Sequence, residues 1–201
     1  MTNNISFTVV IATNSHLDFA EQICAEMEQS AKARGTGIAK RSVEYVQQKI
    51  SEGKAVIATN NHGEWAGFCY IETWSHGKYV ANSGLIVAPE YRKHGLATRI
   101  KNKIFELSRS KFPDSKIFGL TTGLAVMKIN SDLGYEPVTY SELTDDEAFW
   151  KGCQNCVNFE ILQSKQRQNC LCTAMLYDPL EKSTNKQVFY PEIELTVLQS
   201  E

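Results

Sequence analysis

The sequence has no long hydrophobic run, no excess of one charge and no internal repeat. No apolar segment reaches the roughly 20 residues that cross a bilayer, and residues 1–4 lack the basic start of a signal peptide. The formal net charge is −2, and the basic residues are spread along the chain rather than clustered. These absences predict a cytoplasmic protein that binds neither membranes nor nucleic acid.

The length and the apolar periodicity predict one folded domain with a small appendage. The chain has 201 residues, 42% of them hydrophobic, which is enough for a real core. Alternating and helical apolar patterns predict an α/β (α+β) fold with elements in a definite order. The predicted strands are residues 6–12, 55–59, Trp65–Trp74, Tyr79–Val87, Lys116–Thr121 and a last one near residue 138, and the predicted helices are residues 17–33, 41–50, Leu96–Lys111 and 124–133.

A basic, glycine-containing turn joins the strand Tyr79–Val87 to the helix Leu96–Lys111. The first turn of a helix leaves N–H groups without intrahelical partners, so an anion there gains hydrogen bonds and a favourable dipole. Gly95 permits close backbone approach, and Arg92 and Lys93 add positive charge. We predict a pyrophosphate site at residues Arg92, Lys93, His94, Gly95, Leu96 and Ala97. An ordinary turn with solvated basic side chains is the alternative.

The pattern R-x-x-G-x-A at Arg92, Gly95 and Ala97, following V-x-P, resembles the acyl-CoA-binding loop of the GNAT superfamily of N-acetyltransferases. The resemblance implies the GNAT fold from residue 6 to about residue 138, with a mixed central sheet in which two parallel strands splay apart. It also implies acetyl-CoA or another acyl-CoA as cofactor. The pantetheine arm would then pair with backbone groups of Leu85, Ile86 and Val87.

Three further segments, residues 39–44, 120–122 and 133–135, resemble the acetyltransferase domain of N-acetylglutamate synthases. This resemblance implies that Arg41 binds a carboxylate of the acceptor, an amino acid such as glutamate in arginine biosynthesis. A guanidinium suits that task because it can form two parallel hydrogen bonds to a carboxylate. The alternative for Arg41 is a solvated arginine near a helix start.

The residues that such a reaction usually employs are replaced in this sequence. An amine that attacks a thioester must lose a proton, and the departing thiolate must gain one. The positions where the resembled enzymes carry a glutamate and a tyrosine hold Ala81 and Asn130. We therefore predict that Asn82, Ser83 and Asn130 order water, and that Glu72 acts as the base. A structural role is the alternative for each.

The six cysteines fall into two groups. Cys24 and Cys69 lie in apolar helix and strand patterns, where a buried free thiol is the usual arrangement. The other four form a C-x-x-C pair and a C-x-C pair, which is typical of a tetrahedral structural zinc site. These are Cys153, Cys156, Cys170 and Cys172. Free thiols, a redox pair and disulfides are the alternatives, and a cytoplasmic location disfavours stable disulfides.

We predict a GNAT acyltransferase core in residues 1–140 and a C-terminal extension in residues 141–201, with the cysteine knuckle and a closing strand at Ile193, Leu195 and Val197. The extension completes the sheet, covers the acceptor pocket or forms a homodimer contact, and the sequence leaves these roles open. The predicted function is transfer of an acetyl or succinyl group from CoA to the amine of a small molecule. The alternatives are acylation of a protein or peptide amine, and a non-catalytic acyl-CoA-binding regulatory module.

Overall fold

The computed structural model describes residues 5–35 and 40–184. Within these residues one mixed sheet has the strand order β1-β2-β3-β4-β5-β7-β6. The strands are β1 (Phe7–Ile11), β2 (Ala55–Asn60), β3 (Trp65–Trp74), β4 (Tyr79–Val87), β5 (Lys116–Thr121), β6 (Glu136–Val138) and β7 (Thr173–Tyr177). The helices are α1 (Ala20–Arg34), α2 (Val43–Ser51), α3 (Leu96–Lys111), α4 (Leu124–Asp132), α5 (Glu147–Lys151), α6 (Phe159–Ser164) and α7 (Pro179–Thr184).

Local sequence signals account for the main helices. Gly35 ends α1 in the left-handed conformation, and the Ser42 side chain caps α2 by accepting a hydrogen bond from the Tyr45 N–H. Helix α3 buries side chains at helical spacing, namely Leu96, Ile100, Ile104 and Leu107. The predicted helices are confirmed, with ends that differ by up to three residues because caps, rather than periodicity alone, set the boundaries.

The two faces of the sheet carry different helices. Along β3, Tyr70 and Glu72 contact Arg41 near the start of α2, whereas Cys69 lies beside Lys101 of α3. Because successive strand residues point to opposite faces, α2 and α3 cover opposite sides of the sheet. Helix α1 packs against α2 and β4, and α4 packs against α3, β5 and β7. No helix within the described ranges is both long and apolar enough to cross a membrane.

Strands β4 and β5 are parallel neighbours that separate part of the way along. They pair from Tyr79 opposite Lys116 to Ala81 opposite Phe118, and β4 then continues to Val87 without β5 pairing. This confirms the predicted pair of splayed parallel strands and the GNAT fold.

The separated part of β4 also carries a bulge. The register with β3 shifts between the Ser83–Tyr70 and Ile86–Phe68 pairs. Gly84 lies in this bulge with a φ of 65°, and a Cβ there would come within 2.3 Å of the Tyr70 ring. Only glycine fits this position because the backbone is left-handed and the space is filled.

The region after residue 140 contributes a strand to the sheet. Strand β7 lies between β5 and β6 and is antiparallel to both. The intervening segment packs a second apolar cluster, including Tyr140 and Trp150, onto Ala81 and Phe118. Since Ala81 pairs with Glu72, this segment covers the same face as α2.

Part of the predicted extension cannot be compared with the structure. The closing strand at Ile193, Leu195 and Val197 lies outside the described residues. The boundary at residue 140 stays a prediction, as does the homodimer contact.

Candidate active site

The loop between β4 and α3 combines a short 3-10 helix with two left-handed residues. The 3-10 helix spans Pro89–Tyr91, and Lys93 and Gly95 have φ values of 68° and 72°. Helix α3 begins at Leu96, and its first hydrogen bond runs from the Arg99 N–H to the Gly95 carbonyl at 3.2 Å. The preceding N–H groups have no intrahelical acceptor, so this helix start can bind an anion.

Arg92 braces the loop against α1 instead of extending over the helix start. Its Nε donates to the Val87 carbonyl at 3.1 Å, and its Nη2 donates to Glu26 at 2.9 Å and to Ser30 at 2.8 Å. Glu26 offsets part of the guanidinium charge. The Arg92 side chain therefore positions the loop backbone and adds little free charge of its own.

The space in front of the loop suits a bulky phosphate group. Lys93, His94 and Gly95 are exposed, and a Cβ built on Gly95 would meet no atom within 4 Å. The His94 Nδ1 lies 2.9 Å from the Arg92 carbonyl, which holds the ring at the side of the loop. The glycine backbone can thus be approached closely, and the residues present fit the pyrophosphate of coenzyme A.

A polar cluster lies between α2 and β3 on the opposite side of the splayed strands from α3. The Arg41 Nε donates to the Tyr70 hydroxyl at 2.6 Å, and its Nη2 lies 3.3 Å from Glu72 Oε1. The Tyr45 hydroxyl donates to the same Oε1 at 2.5 Å. Glu72 is 5% exposed and pairs across the sheet with Ala81, the last β4 residue bound to β5. A buried carboxylate therefore lies where the two strands begin to diverge.

The environment of this cluster keeps its phenols protonated. Burial, with the adjacent Glu72 carboxylate second, raises the pKa of both Tyr45 and Tyr70 far above the usual range. Burial also lowers the pKa of Lys49, which lies over the Tyr45 ring at 4.9 Å. Both hydroxyls stay protonated at neutral pH, the Tyr45 hydroxyl donates to Glu72, and Glu72 is the candidate proton acceptor of the group.

A cavity of about 820 Å³ lies beside this cluster. Its walls come from α1, from the residues around Arg41, and from Asn155 and Val157 of the cysteine-rich segment. Met27 also lines it, and the Met27 Cε is 2.8 Å from where a Gly84 Cβ would lie. The cavity is therefore adjacent to the bulge of β4, on the α2 face of the sheet.

The other catalytic candidates from the sequence lie apart from this cavity. Asn82 is buried on the α3 face, where its Nδ2 donates to Ser108 at 2.8 Å and its Oδ1 accepts from Tyr135 at 3.0 Å. Ser83 offers its carbonyl to the Cys69 thiol at 3.3 Å. Asn130 is 2% exposed, and its Oδ1 has no hydrogen-bond partner within the described ranges. Their catalytic roles stay predictions.

The four C-terminal cysteines are half-buried free thiols. Across residues 5–35 and 40–184, no three or more His, Cys, Asp or Glu side chains are arranged to hold a metal ion. A preformed zinc site is therefore not supported. The thiols instead make hydrogen bonds, for example from the Asn158 N–H to Cys156 Sγ at 3.4 Å.

The sequence pointed to Arg41 and Glu72, which the structure brings together, but not to Tyr45, Tyr70 or the cavity wall at Asn155 and Val157. Tyr45 follows Arg41 by four residues, and this spacing was the available local signal for a shared site. No local sequence pattern relates Asn155 to Arg41, because the cavity that both residues line depends on how the C-terminal segment crosses the sheet.

Comparison with known proteins agrees with the fold. The Acetyltransferase (GNAT) family matches residues 44–125, the segment from α2 to the start of α4. No curated protein matches the chain in sequence.

Solved structures share the fold at low sequence identity. N-acetylglutamate synthase from Neisseria gonorrhoeae, complexed with coenzyme A and N-acetyl-glutamate, is 18% identical, with a TM-score of 0.60 over 86% of this chain and 35% of that chain. Rv2747 from Mycobacterium tuberculosis, complexed with CoA, is 14% identical, with a TM-score of 0.60 over 85% of this chain and 98% of that chain. The yncA protein of Salmonella typhimurium, with acetyl-CoA, is 11% identical, with a TM-score of 0.57 over 87% and 94% of the two chains.

The splayed strands and the helix-start loop agree with the class that the family match indicates, the acyl-CoA-dependent N-acyltransferases. The family match over residues 44–125 confirms the resemblance to the GNAT acetyltransferases seen in the sequence. The chain spans about a third of the length of the Neisseria gonorrhoeae synthase.

Proposed function

We propose that this chain transfers an acetyl or succinyl group from CoA to the amine of a small carboxylate-bearing molecule, an amino acid such as glutamate. The observation that carries the proposal is the position of Arg41. Arg41 lines the 820 Å³ cavity, and two of its guanidinium nitrogens are held by Tyr70 and Glu72. An arginine fixed in this way is preorganised to receive a carboxylate at its remaining edge.

The acyl-CoA would lie along the open edge of β4. Its pyrophosphate would bind at residues 92–97, and its pantetheine arm would pair with the backbone of Leu85, Ile86 and Val87, where β5 has diverged. The β4 segment from Ala81 to Val87 is about 20 Å long at the usual strand rise. The thioester would then lie near Glu72, at the other end of this gap from the phosphates.

Glu72 would serve as the base. The acceptor ammonium first loses a proton to the carboxylate, and the free amine then attacks the thioester carbonyl. A C–N bond forms, the C–S bond breaks, and the departing thiolate takes up a proton. Asn130, with its unpartnered Oδ1, would order a water molecule for that last proton. Asn82 would hold the β4 backbone through its contacts on the α3 face, and Ser83 through its carbonyl, which accepts from the Cys69 thiol.

The relatives support this choice of substrate class without deciding it. The Neisseria gonorrhoeae synthase was solved with coenzyme A and N-acetyl-glutamate, the amide of an amino acid. Its sequence identity to this chain is 18%, so the shared feature is the fold. We prefer a small acceptor over a protein or peptide amine because Arg41, whose guanidinium suits a free carboxylate, lines the cavity. We place the reaction in the cytoplasm.

Incubation of the purified chain with acetyl-CoA or succinyl-CoA and a panel of amino acids tests the proposal, with the acylated product followed by mass spectrometry. Amines that lack the carboxylate are the matched control acceptors, and we expect at least tenfold slower turnover with them. CoA binding without turnover of any small amine would contradict the proposal. Turnover of peptide amines alone would establish the alternative acceptor, and binding without any turnover would favour a regulatory module.

A further inference from the structure

We propose that Tyr91 is a positioning residue for coenzyme A, because its hydroxyl ties the start of the phosphate loop, residues 92–97, to the hairpin between β2 and β3. This role rests on the proposed CoA site and is independent of the acceptor. Tyr91 would act through the loop backbone rather than by contact with the phosphates, since its side chain is buried.

Tyr91, Asn60 and Glu64 form a closed hydrogen-bond network. The Tyr91 hydroxyl donates to Glu64 Oε2 at 2.8 Å and accepts from Asn60 Nδ2 at 2.9 Å. The Asn60 Nδ2 also donates to the same Glu64 oxygen at 2.6 Å. The amide nitrogen carries two protons, so it can donate one to each acceptor. Each of the three side chains is therefore held by the other two.

The hairpin backbone fixes the orientation of the Asn60 amide. Its Oδ1 accepts from the N–H groups of His62 and Glu64, both at 2.9 Å, which leaves Nδ2 for the Tyr91 hydroxyl. Hydrogen bonds from Tyr91 and then from Asn60 lower the pKa of Glu64, and the bond to Glu64 raises the pKa of Tyr91. The carboxylate is therefore ionised and the phenol protonated at neutral pH, so each hydrogen bond has a defined direction.

Tyr91 and the next residue, Arg92, are anchored on different elements. Tyr91 ends the 3-10 helix before the loop and binds the β2–β3 hairpin, whereas Arg92 binds α1. The backbone that follows these anchors contains the left-handed Lys93 and Gly95. A loop that is already held at two points loses less conformational entropy when a ligand binds. The anchors therefore support affinity for the phosphates without touching them.

Strand β1 extends the contact from Tyr91 to the exposed part of the loop. Phe7 pairs with Asn60 in the sheet, and its ring meets the Tyr91 ring edge-on with centroids 5.3 Å apart. The centroid of the same Phe7 ring lies 5.8 Å from that of His94, which directly precedes Gly95. The hairpin, Tyr91 and His94 thus form one packed unit. Loss of the Tyr91 hydroxyl would loosen this unit on the side of the helix start.

Calorimetric titration of the full chain with CoA tests the role of the hydroxyl. We expect Tyr91→Phe to bind CoA about fivefold or more weakly than the parent, because the phenyl ring keeps the packing and loses both hydrogen bonds. Tyr79→Phe is the matched control, since it removes a hydroxyl that bonds the Glu142 carbonyl at the other end of β4. Equal affinities of Tyr91→Phe and the parent would overturn this role. A parent that binds no CoA would overturn the proposed CoA site together with it.

Substitutions of Glu64 test whether the hydroxyl acts through the hairpin. Glu64→Gln keeps an oxygen that accepts from Tyr91 and should retain most of the affinity for CoA, whereas Glu64→Leu should weaken CoA binding as Tyr91→Phe does. In the double variant Tyr91→Phe/Glu64→Leu the two losses should not add, because both break the same network. Fully additive losses would show that the two side chains act separately and would overturn the network.

A comparison of two acyl donors separates positioning of the phosphates from a general effect on folding. Acetyl-pantetheine carries the thioester but no phosphate, so the loop has no phosphate to bind. We expect Tyr91→Phe to lower kcat/KM for acetyl-CoA by about fivefold or more, and to leave both kcat/KM for acetyl-pantetheine and KM for the acceptor unchanged. An equal decrease for the two donors would mean that Tyr91 supports the fold and not the phosphates, and would overturn its positioning role.

Discussion

The Tyr45 hydroxyl donates a 2.5 Å hydrogen bond to Oε1 of Glu72 and thereby joins α2 to β3. Arg41 contacts the same carboxylate, so two donors from the N-terminal part of the fold hold it in place. Hydrogen bonds of this kind orient a buried carboxylate. The proposed base is thus held by two donors, one of which, Arg41, also lines the cavity.

Replacement of Glu72 by glutamine should remove the base while keeping the shape and the hydrogen bond from Tyr45. We expect kcat to fall by roughly 10²–10⁴-fold at neutral pH, the usual contribution of a positioned base. Initial rates of acyl transfer across a pH series measure this effect. The Glu52→Gln variant, on the exposed end of α2, is the control for a general loss of charge. Equal rates for the Glu72→Gln and parent proteins would exclude this residue as the base.

The Arg41→Lys substitution should weaken binding of the carboxylate acceptor, because lysine keeps the charge but lacks the planar fork of the guanidinium. We expect KM for the amino acid to rise by about 10- to 100-fold, since a charge-assisted hydrogen bond contributes about 1.5–3 kcal/mol. KM for the acyl-CoA should stay constant. The control is Lys54→Arg, a conservative change in a surface ion pair. A KM change that is just as large for an amine without a carboxylate would contradict this role.

The Gly95→Val substitution should weaken CoA binding by about 1–3 kcal/mol through backbone strain and the loss of close approach to the pyrophosphate. Calorimetric titration with CoA measures the change. Gly77→Val is a matched control, because Gly77 is also left-handed, with a φ of 85°, and a Cβ there also meets open space. Equal weakening in both variants, or in neither, would show that the loop backbone does not bind the phosphates.

The ion pair between Lys116 and Asp178, 2.6 Å apart, should make stability depend on pH. Burial alone would raise the pKa of Asp178, but hydrogen bonds from Lys116 and the Leu180 N–H lower it below its usual range. The hydrogen bond to Asp178 raises the pKa of Lys116. The stability that Asp178 contributes to the fold is therefore present above its unfolded-state pKa of about 3.9. It is lost as pH falls through the lower pKa that Asp178 has in the folded state.

The stability that Lys116 contributes is fully present below the pKa of this lysine in the unfolded chain. It is lost only as pH rises through the higher pKa that Lys116 has in the folded state. The Lys116→Met variant should lose about 1 kcal/mol of unfolding free energy at pH 7, and this difference should vanish once pH falls below the folded-state pKa of Asp178. Urea denaturation at several pH values provides the measurement, with Lys103→Met, from an exposed ion pair, as control. A difference that persists at low pH would mean that packing, not charge, is responsible.

The local part of this structure could be predicted from the sequence. The strand β4 and the helix α3 have the bounds that the apolar pattern predicts, because Pro89 and Gly95 interrupt it on either side of the turn. The left-handed backbone at Gly95 was likewise inferable from residue type. Such features depend on neighbours in the chain, so the sequence contains the signal directly.

The contacts between distant segments could not be predicted in this way. Tyr45 and Glu72 are 27 residues apart, and their hydrogen bond depends on how α2 packs across β3. The place of β7 between β5 and β6 depends on strand order, which periodicity does not specify. The predicted tetrahedral zinc arrangement relied on spacing alone, whereas the thiol positions depend on Asn158 and Tyr140 as well.

The place of β7 also bears on how the chain is made. Ribosomal synthesis delivers β1 to β6 first, and β6 pairs with β7, which emerges some 35 residues later. Until then β5 exposes the edge that β7 will occupy, and an open strand edge invites association with other chains. The nascent protein can therefore complete its phosphate loop well before its sheet is closed.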